Sequence, residues 1–520
     1  MSSDKFLRGA MILTLAGLMV KVIGSVNRIL LSRLLGGEGI GLYQMAYPVY
    51  LLLLSVSAAG IPVAISIIVS EYLAQKDYAG VRQVFTVSLR LMVFIGAMLA
   101  AFLVLAAGML VDMGIIQDGR AYYALIALSP SVFFSTVLAS FRGYFQGHQL
   151  MTPPALSQII EQFIRVVTML VMAYTLLPYG LEYAAAGAAF GAVPGSIIGL
   201  IVLGGFYRYY RHLWSSREEK EQVKTNPLLK SSKLIKRLLL LALPVSCANI
   251  LVPVTGSIDA LLVPACLIDS GFSVVQATTQ FGYLAGMAQP LLLMATIPTM
   301  SLATSLVPAV SEAITLKKWQ LIEQKSAVSM KVCCLITVPA AIGMYVLAKP
   351  ISLLLYGTSA ATVAIMHTAP AIWFLGIQQI TTGLLQGIGQ TSLPMMNMLF
   401  GIAAKLIAVC SLTNIKYGIA GAAWATNINF AVTALLNLFV LRYFKISFDW
   451  VIVFKIFAAA LFMGAAAWKL DEMMQFLGAS WTTLIAMLGA AVVYIMLLPL
   501  LGIINRHELK QLPMLKKFIK

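Results

Sequence analysis

Long apolar segments recur through the whole sequence, and their number constrains the fold more than any other feature. Fourteen stretches are apolar enough and long enough to cross a bilayer, for which an α-helix needs ~20 residues. The 520-residue chain is 60% hydrophobic and only 11% charged, with a mean hydropathy of +0.91. A soluble domain of this composition would aggregate. The sequence therefore predicts an all-α polytopic membrane protein with fourteen transmembrane helices.

The basic residues lie mainly on one side of the predicted membrane. The chain has 36 Lys and Arg against 19 Asp and Glu, a net charge of +17. With the N-terminus inside, the cytoplasmic loops and tails hold 25 of the 36 and the external loops hold five. This asymmetry predicts a multi-pass cell-membrane protein with both termini in the cytoplasm. Because the positive charge lies in loops between apolar segments, it argues against nucleic acid as a partner.

The two halves of the chain repeat each other. Gly24–Asn27 (GSVN) recurs as Gly256–Asp259 (GSID), and Gly143–Gly147 (GYFQG) recurs as Gly383–Gly387 (GLLQG), in the same order. Six helices per half is an even number, so the halves share one topology. We therefore predict two six-helix lobes related by a pseudo-twofold axis along the membrane normal, plus two C-terminal helices.

This repeat and one long basic stretch divide the chain. The predicted parts are a first lobe at 1–206, a basic cytoplasmic linker at 207–236, a second lobe at 237–443, two further helices at 444–502 and a basic cytoplasmic tail at 503–520.

Four basic residues lie deep in apolar segments, where a charge costs at least ~2.5 kcal/mol on insertion scales. Lys21 and Arg28 are two helical turns apart on one face of the first segment, with Asn27 beside them. Arg165 and Lys405 are equivalent in the repeat. A surplus of buried positive charge suits an anionic ligand, and phosphate or pyrophosphate is the natural partner of Lys and Arg. We therefore predict that these five residues bind the substrate.

Glu161 and Asp259 are the acidic residues in the same segments. Glu161 precedes Arg165 by one helical turn, so the two either pair with each other or contribute to ligand binding. In a purely structural network, both acids would neutralise the buried positive charge. As an alternative, both are candidate sites for ion or proton coupling, with Na⁺, H⁺ and the membrane potential all open as driving forces.

Glycine and proline residues mark breaks in two segments. Gly60 and Pro62 interrupt the second segment, and Pro253 is one of three prolines that are expected to interrupt the seventh. Broken helices occur beside transport cavities and often act as gates. These three residues are therefore gating candidates, and ordinary proline kinks are the alternative.

Patterns that would indicate catalysis or metal binding are missing from the sequence. It contains no glycine-rich phosphate loop and no HExxH motif. The five cysteines include no CxxC pair and the four histidines are scattered, so no metal site is indicated. We therefore expect a transporter without catalytic residues, metal or bound cofactor.

Several motifs resemble one known family. FLRGAMILTLAG (6–17), GIPVAISIIVSE (60–71) and FRGYFQGHQLMTPPALSQIIEQFIRV (141–166) are similar to the polysaccharide and lipid-linked oligosaccharide exporters of the MOP flippase superfamily. The resemblance implies two lobes around a central cavity and alternating access. It also implies that the cargo is an undecaprenyl-pyrophosphate-linked saccharide such as lipid II. A role in spore cortex peptidoglycan formation is implied too, with membrane lipid and peptidoglycan synthases as partners.

One departure from that family leaves the cargo open. The related lipid II flippases use cavity arginines in their first, second and eighth helices and line a lipid-tail groove with the last two. Here the second and eighth segments contain no Lys or Arg. The alternatives are a cation-coupled multidrug exporter of the same superfamily, a membrane-embedded glycan polymerase and a non-transporting scaffold of the sporulation machinery. A multidrug exporter typically has twelve spans and an acidic interior, and a polymerase needs a substantial external loop.

Overall fold

The computed structural model describes residues 3–58, 60–218, 230–444, 446, 448–474 and 479–503. Within these ranges the regular structure is helical and includes no strand. Residues 219–229 of the predicted linker and the predicted tail from residue 504 lie outside the described residues. Contacts group the described residues into two compact units. The first runs to Ile268 and includes Phe272–Gly282, and the second comprises Asp269–Gly271 and the residues from Tyr283 onward.

The helices of the first unit are α1 (Ser3–Ala58), α2 (Ile61–Ala74), α3 (Tyr78–Asp112), α4 (Ala121–Gly147), α5 (Thr152–Leu176), α6 (Leu181–Phe190), α7 (Ala192–Glu218), α8 (Ser231–Asp269) and α9 (Val274–Phe281). The helices of the second unit are α10 (Gln289–Ala295), α11 (Ile297–Thr315), α12 (Trp319–Val346), α13 (Ala348–Tyr356), α14 (Thr362–Thr368), α15 (Ala371–Gly387), α16 (Ser392–Leu412), α17 (Gly418–Tyr443), α18 (Trp450–Met473) and α19 (Ala479–Leu500). A 3-10 turn, Leu177–Tyr179, follows α5, and a π-helical turn, Gly282–Ala288, precedes α10.

Thirteen stretches of the described residues are long and apolar enough to cross a membrane. The first, Leu15–Ala74, has 60 residues and would measure ~90 Å as one straight helix, about three times the thickness of the hydrocarbon core. It bends at Gly36, where φ is +66°, a conformation that glycine adopts without steric cost. This stretch therefore corresponds to two of the fourteen predicted segments and the others to one each. The prediction of an all-α polytopic membrane protein is confirmed.

The predicted break in the second segment is present. Helix α1 ends at Ala58 and α2 begins at Ile61, with Pro62 in its first turn, where a missing N–H disrupts no helical hydrogen bond. The backbone N–H of Gly60 donates to Ser246 Oγ of α8 at 3.2 Å. The break is thus held against α8 by a hydrogen bond, while its role as a gate stays a prediction.

The predicted interruption of the seventh segment is wrong. Helix α8 continues through Pro253 and through the prolines on either side of it. An internal proline removes one backbone hydrogen bond, and a membrane helix tolerates this loss when neighbouring groups satisfy the freed carbonyl. Pro253 therefore does not end the helix, and its gating role has no break to support it.

Helix α4 lies at the centre of the first unit, where it packs against α1, α2, α3, α6 and α7. An apolar cluster that includes Ile65, Val84 and Leu238 joins α2, α3 and α8. Contacts therefore place α8 with the first unit, whereas the repeat assigns it to the second lobe. The lobe boundary stays a prediction, because sequence duplication and packing in one conformation are different properties.

Helices α12 and α15–α19 pack against one another in the second unit. Helix α16 packs along α17, and α18 packs against α12 and α19. Asn397 Nδ2 donates to Asn437 Oδ1 at 2.9 Å, and Asn437 Nδ2 donates to Thr381 Oγ1 at 3.1 Å. Such side-chain hydrogen bonds fix the register of helices that have no hydrophobic drive to associate in lipid.

Candidate anion-binding site

The polar face of α1 lies against α5. Asn27 is buried, and its Nδ2 donates to Met169 Sδ at 2.7 Å. Its Oδ1 is buried with no hydrogen-bond partner among the described residues. A Cβ added at Gly24 would lie 3.3 Å from Gln162 Nε2, so this side of α1 is close to α5. Lys21, one turn earlier on the same helix, is exposed.

Arg28 lies over an aromatic row on the second part of α1. Its Cζ is 5.5 Å from the ring centroid of Tyr47, within the range of a cation–π interaction. Tyr43, Tyr47 and Tyr50 share one helix face because they are spaced by four and three residues. Their consecutive ring centroids are 5.3 and 5.8 Å apart. Tyr50 is anchored by a hydrogen bond of 3.0 Å between its hydroxyl and Ser131 Oγ.

A second group of charges joins α4 to α5. Arg142 Nη2 donates to Glu161 Oε2 at 2.6 Å, and Arg165 Nη2 donates to Glu161 Oε1 at 3.1 Å. The side chains are 23%, 12% and 15% exposed for Arg142, Glu161 and Arg165. The pairing of Glu161 with Arg165, which the sequence left open, is therefore present. Arg142 is an additional partner.

The two groups form one cluster. Arg28 lies over Tyr47, which stacks on Tyr43, and α1 packs along α5, which carries Arg165 and Glu161. We call Arg28, Arg142, Arg165 and Glu161 the arginine cluster. Its members carry three positive charges and one negative charge. Such a group, partly buried among membrane-spanning helices, can bind an anion through several charge-assisted hydrogen bonds.

Two other predicted residues are buried on other helices. Asp259 is buried on α8 of the first unit. Lys405 belongs to α16 of the second unit and is only 1% exposed, so a ligand does not reach it in this conformation. One turn before it, a Cβ added at Gly401 would lie 2.1 Å from Thr433 Oγ1 and 2.8 Å from Asn429 Oδ1. Polar side chains of α17 thus fill the space in front of Gly401.

A separate ion-pair group lies outside the spans, between α3 and α4. Arg120 donates to Glu38 Oε1 at 2.6 Å and to Asp118 Oδ2 at 2.8 Å, and Thr278 Oγ1 donates to Asp118 Oδ2 at 2.9 Å. Burial raises the pKa of Asp118, but hydrogen bonds from Arg120 and Thr278 outweigh it and leave the pKa below its usual value. The hydrogen bond to Asp118 raises the pKa of Arg120. The group joins Glu38 of α1 and Thr278 of α9 to the loop before α4.

Sequence reasoning missed Arg142. Counting charges by side of the membrane assigned it to a cytoplasmic loop, whereas α4 extends to Gly147 and includes it. The available signal was its position directly before the repeated Gly143–Gly147 motif, where the second half has Thr382. When one repeat has a charged residue at an interior position and the other repeat does not, the packing that both repeats share does not require that charge.

The comparisons with known proteins agree with this architecture. The family model described as polysaccharide biosynthesis protein matches residues 6–314, more than half of the chain. The chain belongs to this family. A second family model, MatE, matches residues 244–410. With stage V sporulation protein B of Bacillus subtilis (strain 168), this family member shares 31% identity over 529 residues, covering 100% of both chains.

Lipid II flippase MurJ of the same organism is 25% identical over 461 residues, which cover 85% of this chain and 83% of the relative. A solved structure described as lipid II flippase MurJ in an inward closed conformation aligns with a TM-score of 0.70. That alignment has 15% identity and covers 98% of this chain and 100% of the other, so it concerns the fold. Together these relatives identify this protein as a membrane transporter of the MOP flippase superfamily, as the sequence motifs predicted.

Proposed function

We propose that this protein is an alternating-access flippase that moves an undecaprenyl-pyrophosphate-linked saccharide outward across the cell membrane. The arginine cluster is the observation that carries this proposal, because it gathers three guanidinium groups among membrane-spanning helices. Guanidinium groups bind phosphate oxygens in pairs. The relative named as a lipid II flippase favours lipid II or a related precursor as the cargo.

In the proposed mechanism the pyrophosphate binds the protein while the polyprenyl chain stays in lipid. Arg28 and Arg165 hold the phosphates, and exposed Lys21 adds a positive charge at the edge of the site. Asn27, with an amide oxygen that lacks a partner among the described residues, accepts a hydrogen bond from the headgroup. Lys405 joins the site by repeat equivalence and needs a conformation in which it is less buried than here. The tail lies along α18 and α19.

Coupling and gating complete the proposal. Asp259 and Glu161 are the candidate sites for an ion or proton, with Na⁺, H⁺ or the membrane potential as the driving force. Gly60 and Pro62 provide a break between α1 and α2 that changes as the lobes rock, and Pro253 stays a gating candidate within the continuous helix α8. No catalytic residue, metal or bound cofactor enters this mechanism.

The proposed cellular role is supported by one relative. Similarity to stage V sporulation protein B over the full chain supports a role in spore cortex peptidoglycan synthesis, with peptidoglycan synthases receiving the cargo outside. Both termini face the cytoplasm in this proposal, because the loops on that side hold most of the Lys and Arg.

A cation-coupled multidrug exporter is the alternative that the MatE match supports. The arginine cluster weighs against it, since a site with surplus positive charge repels organic cations. Competition separates the two proposals. An organic cation such as tetraphenylphosphonium should not displace a bound prenyl pyrophosphate from the flippase, and it should displace the substrate of an exporter.

The test is translocation of a labelled undecaprenyl-pyrophosphate saccharide in proteoliposomes with an imposed ion gradient. We expect the parent protein to move the headgroup and Lys21→Ala/Arg28→Ala to lose at least ~90% of the initial rate. Arg90→Ala is the matched control, because Arg90 is an exposed arginine on α3 outside the cluster. Parental rates in a folded double variant would overturn the headgroup site, and no translocation by the folded parent would overturn the flippase proposal.

A further inference from the structure

The carboxylate of Glu161 uses only part of the hydrogen-bonding capacity of its two arginines. Each guanidinium donates to it through Nη2, one to each carboxylate oxygen. The Nε atoms of Arg142 and Arg165 are buried and have no hydrogen-bond partner among the described residues. A guanidinium normally offers Nε–H and Nη2–H together as a fork. Each arginine of this group therefore has an unfilled donor beside the one that Glu161 occupies.

The charges of this group match a pyrophosphate better than a single carboxylate. A pyrophosphate esterified at both ends carries two negative charges, and Arg142 and Arg165 carry two positive ones. With Glu161 between them, one of those positive charges is already neutralised. A tetrahedral phosphate presents oxygens in the pairs that each guanidinium fork accepts, whereas Glu161 reaches one nitrogen on each side.

The second half of the chain shows that helix packing does not require this ion-pair group. At the repeat spacing, Arg142 corresponds to Thr382 and Glu161 corresponds to Gly401. Helices α15 and α16 contact each other in the second unit, as α4 and α5 do in the first. The second half therefore forms the equivalent helix pair without the carboxylate and without the second arginine.

The helices that pack against Glu161 and Gly401 also differ between the halves. Here the second half has the larger side chains, on α17, and the first half has glycines, on α7. In the first unit a Cβ added at Gly195 would lie 2.8 Å from the carbonyl oxygen of Glu161, and one at Gly199 would lie 3.4 Å from its Oε2. The equivalent positions of α17 are Asn429 and Thr433, which fill that space in the second unit. In the first half, glycine at these two positions thus lets α7 lie close against Glu161. Neither glycine presents a side chain that would block a change of its rotamer.

The group also lies nearer one end of the helices than Arg28 does. Arg142 is five residues from the end of α4, and Glu161 is nine residues from the start of α5, which places them roughly 8 and 14 Å along those helices. Both helix ends face the side that is predicted to be cytoplasmic. Arg165 is a turn further along α5, which packs along the helix that carries Arg28. The cluster therefore forms a row that begins at this end and continues toward Arg28.

We propose that Arg142 and Arg165 form the first docking site for the pyrophosphate of the cargo, and that Glu161 fills this site until the pyrophosphate displaces it. This inference rests on the proposed flippase function and adds a contact residue, Arg142, and an order of binding. In the protein without cargo, Glu161 holds the two guanidinium groups in place and neutralises one of their positive charges. The pyrophosphate then takes over both forks, and Arg28 receives it in the next step.

Equilibrium binding tests this proposal with the full chain in detergent and labelled farnesyl pyrophosphate as the probe. We expect Arg142→Ala to raise Kd about tenfold, because a bidentate charged contact is lost. Glu161→Gln should lower Kd about three- to tenfold, because the competing carboxylate is gone while the side chain keeps its size. Arg90→Ala should bind as the parent does. Arg142→Lys, which keeps the charge without the fork, should fall between Arg142→Ala and the parent.

The sign of the Glu161→Gln effect is decisive. If Glu161 only aligned the arginines, its loss would weaken probe binding or leave it unchanged, and either result would overturn the displacement step. Should Arg142→Ala fail to fold, Arg142→Lys and Glu161→Gln still decide the question. An unchanged Kd in a folded Arg142 variant would overturn its role in docking.

Translocation separates a failure of this inference from a failure of the proposed function. If the parent moves cargo, Arg28→Ala does not, and the Arg142 and Glu161 variants bind the probe as the parent does, the flippase stands and the docking site is refuted. If the folded parent neither binds farnesyl pyrophosphate nor moves the lipid-linked saccharide, both proposals fall together.

Discussion

Gly60→Ala is the substitution for which the structure most directly predicts a loss of folding stability. A Cβ at this position would lie 2.1 Å from the backbone carbonyl oxygen of Ala242 and 2.6 Å from Ser246 Oγ. The backbone of Gly60 has φ −88° and ψ −28°, which alanine adopts without strain. The substitution therefore destabilises the protein only through steric overlap of the new Cβ with α8. The start of α2 must move away from α8 by about 1 Å to restore a normal carbon–oxygen contact.

Overpacking of this kind costs about 1–3 kcal/mol, and the lower chain entropy of alanine in the unfolded state offsets about 0.4–1 kcal/mol of it. The net loss of about 1–2 kcal/mol should lower the apparent melting temperature by about 2–4 °C. Because the shift falls on the break between α1 and α2, we also expect a severalfold lower initial rate of translocation.

The assay is thermal unfolding of the purified protein, followed by intrinsic fluorescence, together with headgroup translocation in proteoliposomes. Gly204→Ala on α7 is the matched control, since a Cβ there would meet nothing within 4 Å. Ser246→Ala removes only the side-chain contact, so it should not rescue Gly60→Ala. A parental melting temperature and rate in Gly60→Ala would refute the steric argument, and rescue by Ser246→Ala would show that the carbonyl contact is not its source.

Three further predictions follow from other contacts. Arg28→Lys keeps the positive charge but loses the planar group over the aromatic ring and its fork, so translocation should fall about tenfold, as initial rates in proteoliposomes will show. Gly401→Ala should lower the melting temperature, because the added Cβ would lie 2.1 Å from Thr433 Oγ1, and Thr433→Ala should partly restore it. Asp118→Asn should cost about 1–3 kcal/mol through loss of its charged hydrogen bonds. The pKa of Asp118 is lower in the folded protein than in the unfolded chain. Its stabilising contribution is therefore present above the unfolded pKa and lost as pH falls below about 4. Melting temperatures measured from pH 3 to 7 will show this loss.

Each of these predictions has an outcome that contradicts it. Parental translocation by Arg28→Lys would mean that charge alone matters at this position. Equal melting temperatures for Gly401→Ala with and without Thr433→Ala would place the strain at the backbone of α17. A melting temperature of Asp118→Asn that follows the same pH curve as the parent would show that this carboxylate contributes no linked stability.

The class of fold could be predicted from the sequence because it depends on properties that each segment carries by itself. Length and hydropathy define a span, and a glycine–proline pair such as Gly60 and Pro62 indicates a break between helices. Pro253 shows the limit of this reasoning. A proline removes one hydrogen bond, and only the surrounding helices determine whether α8 ends or continues.

The candidate site depends on contacts that no single segment contains. Periodicity placed Lys21 and Arg28 on one face, but it could not show that Arg28 lies over Tyr47 while Lys21 is exposed. Asn27 meets Met169, 142 residues away in the chain. Helical spacing made a pair of Glu161 and Arg165 possible, because both are on one helix, but it left open whether they pair with each other or bind a ligand.

Arg142 was not predicted as an interior residue, and its position in the chain explains why. It is only 19 residues from Glu161, but a turn separates the two helices, and a single sequence does not show how far α4 continues before that turn. Its place in the repeat was informative, because Thr382 at the equivalent position rules out a requirement of the shared architecture. Equivalent positions of the two halves can therefore be compared to separate residues that packing requires from residues that it does not. Where they agree, as at the GYFQG and GLLQG motifs, the residues serve the fold. Where they differ in charge, as at Arg142 and Glu161, packing does not account for the difference, and the proposed docking of cargo does.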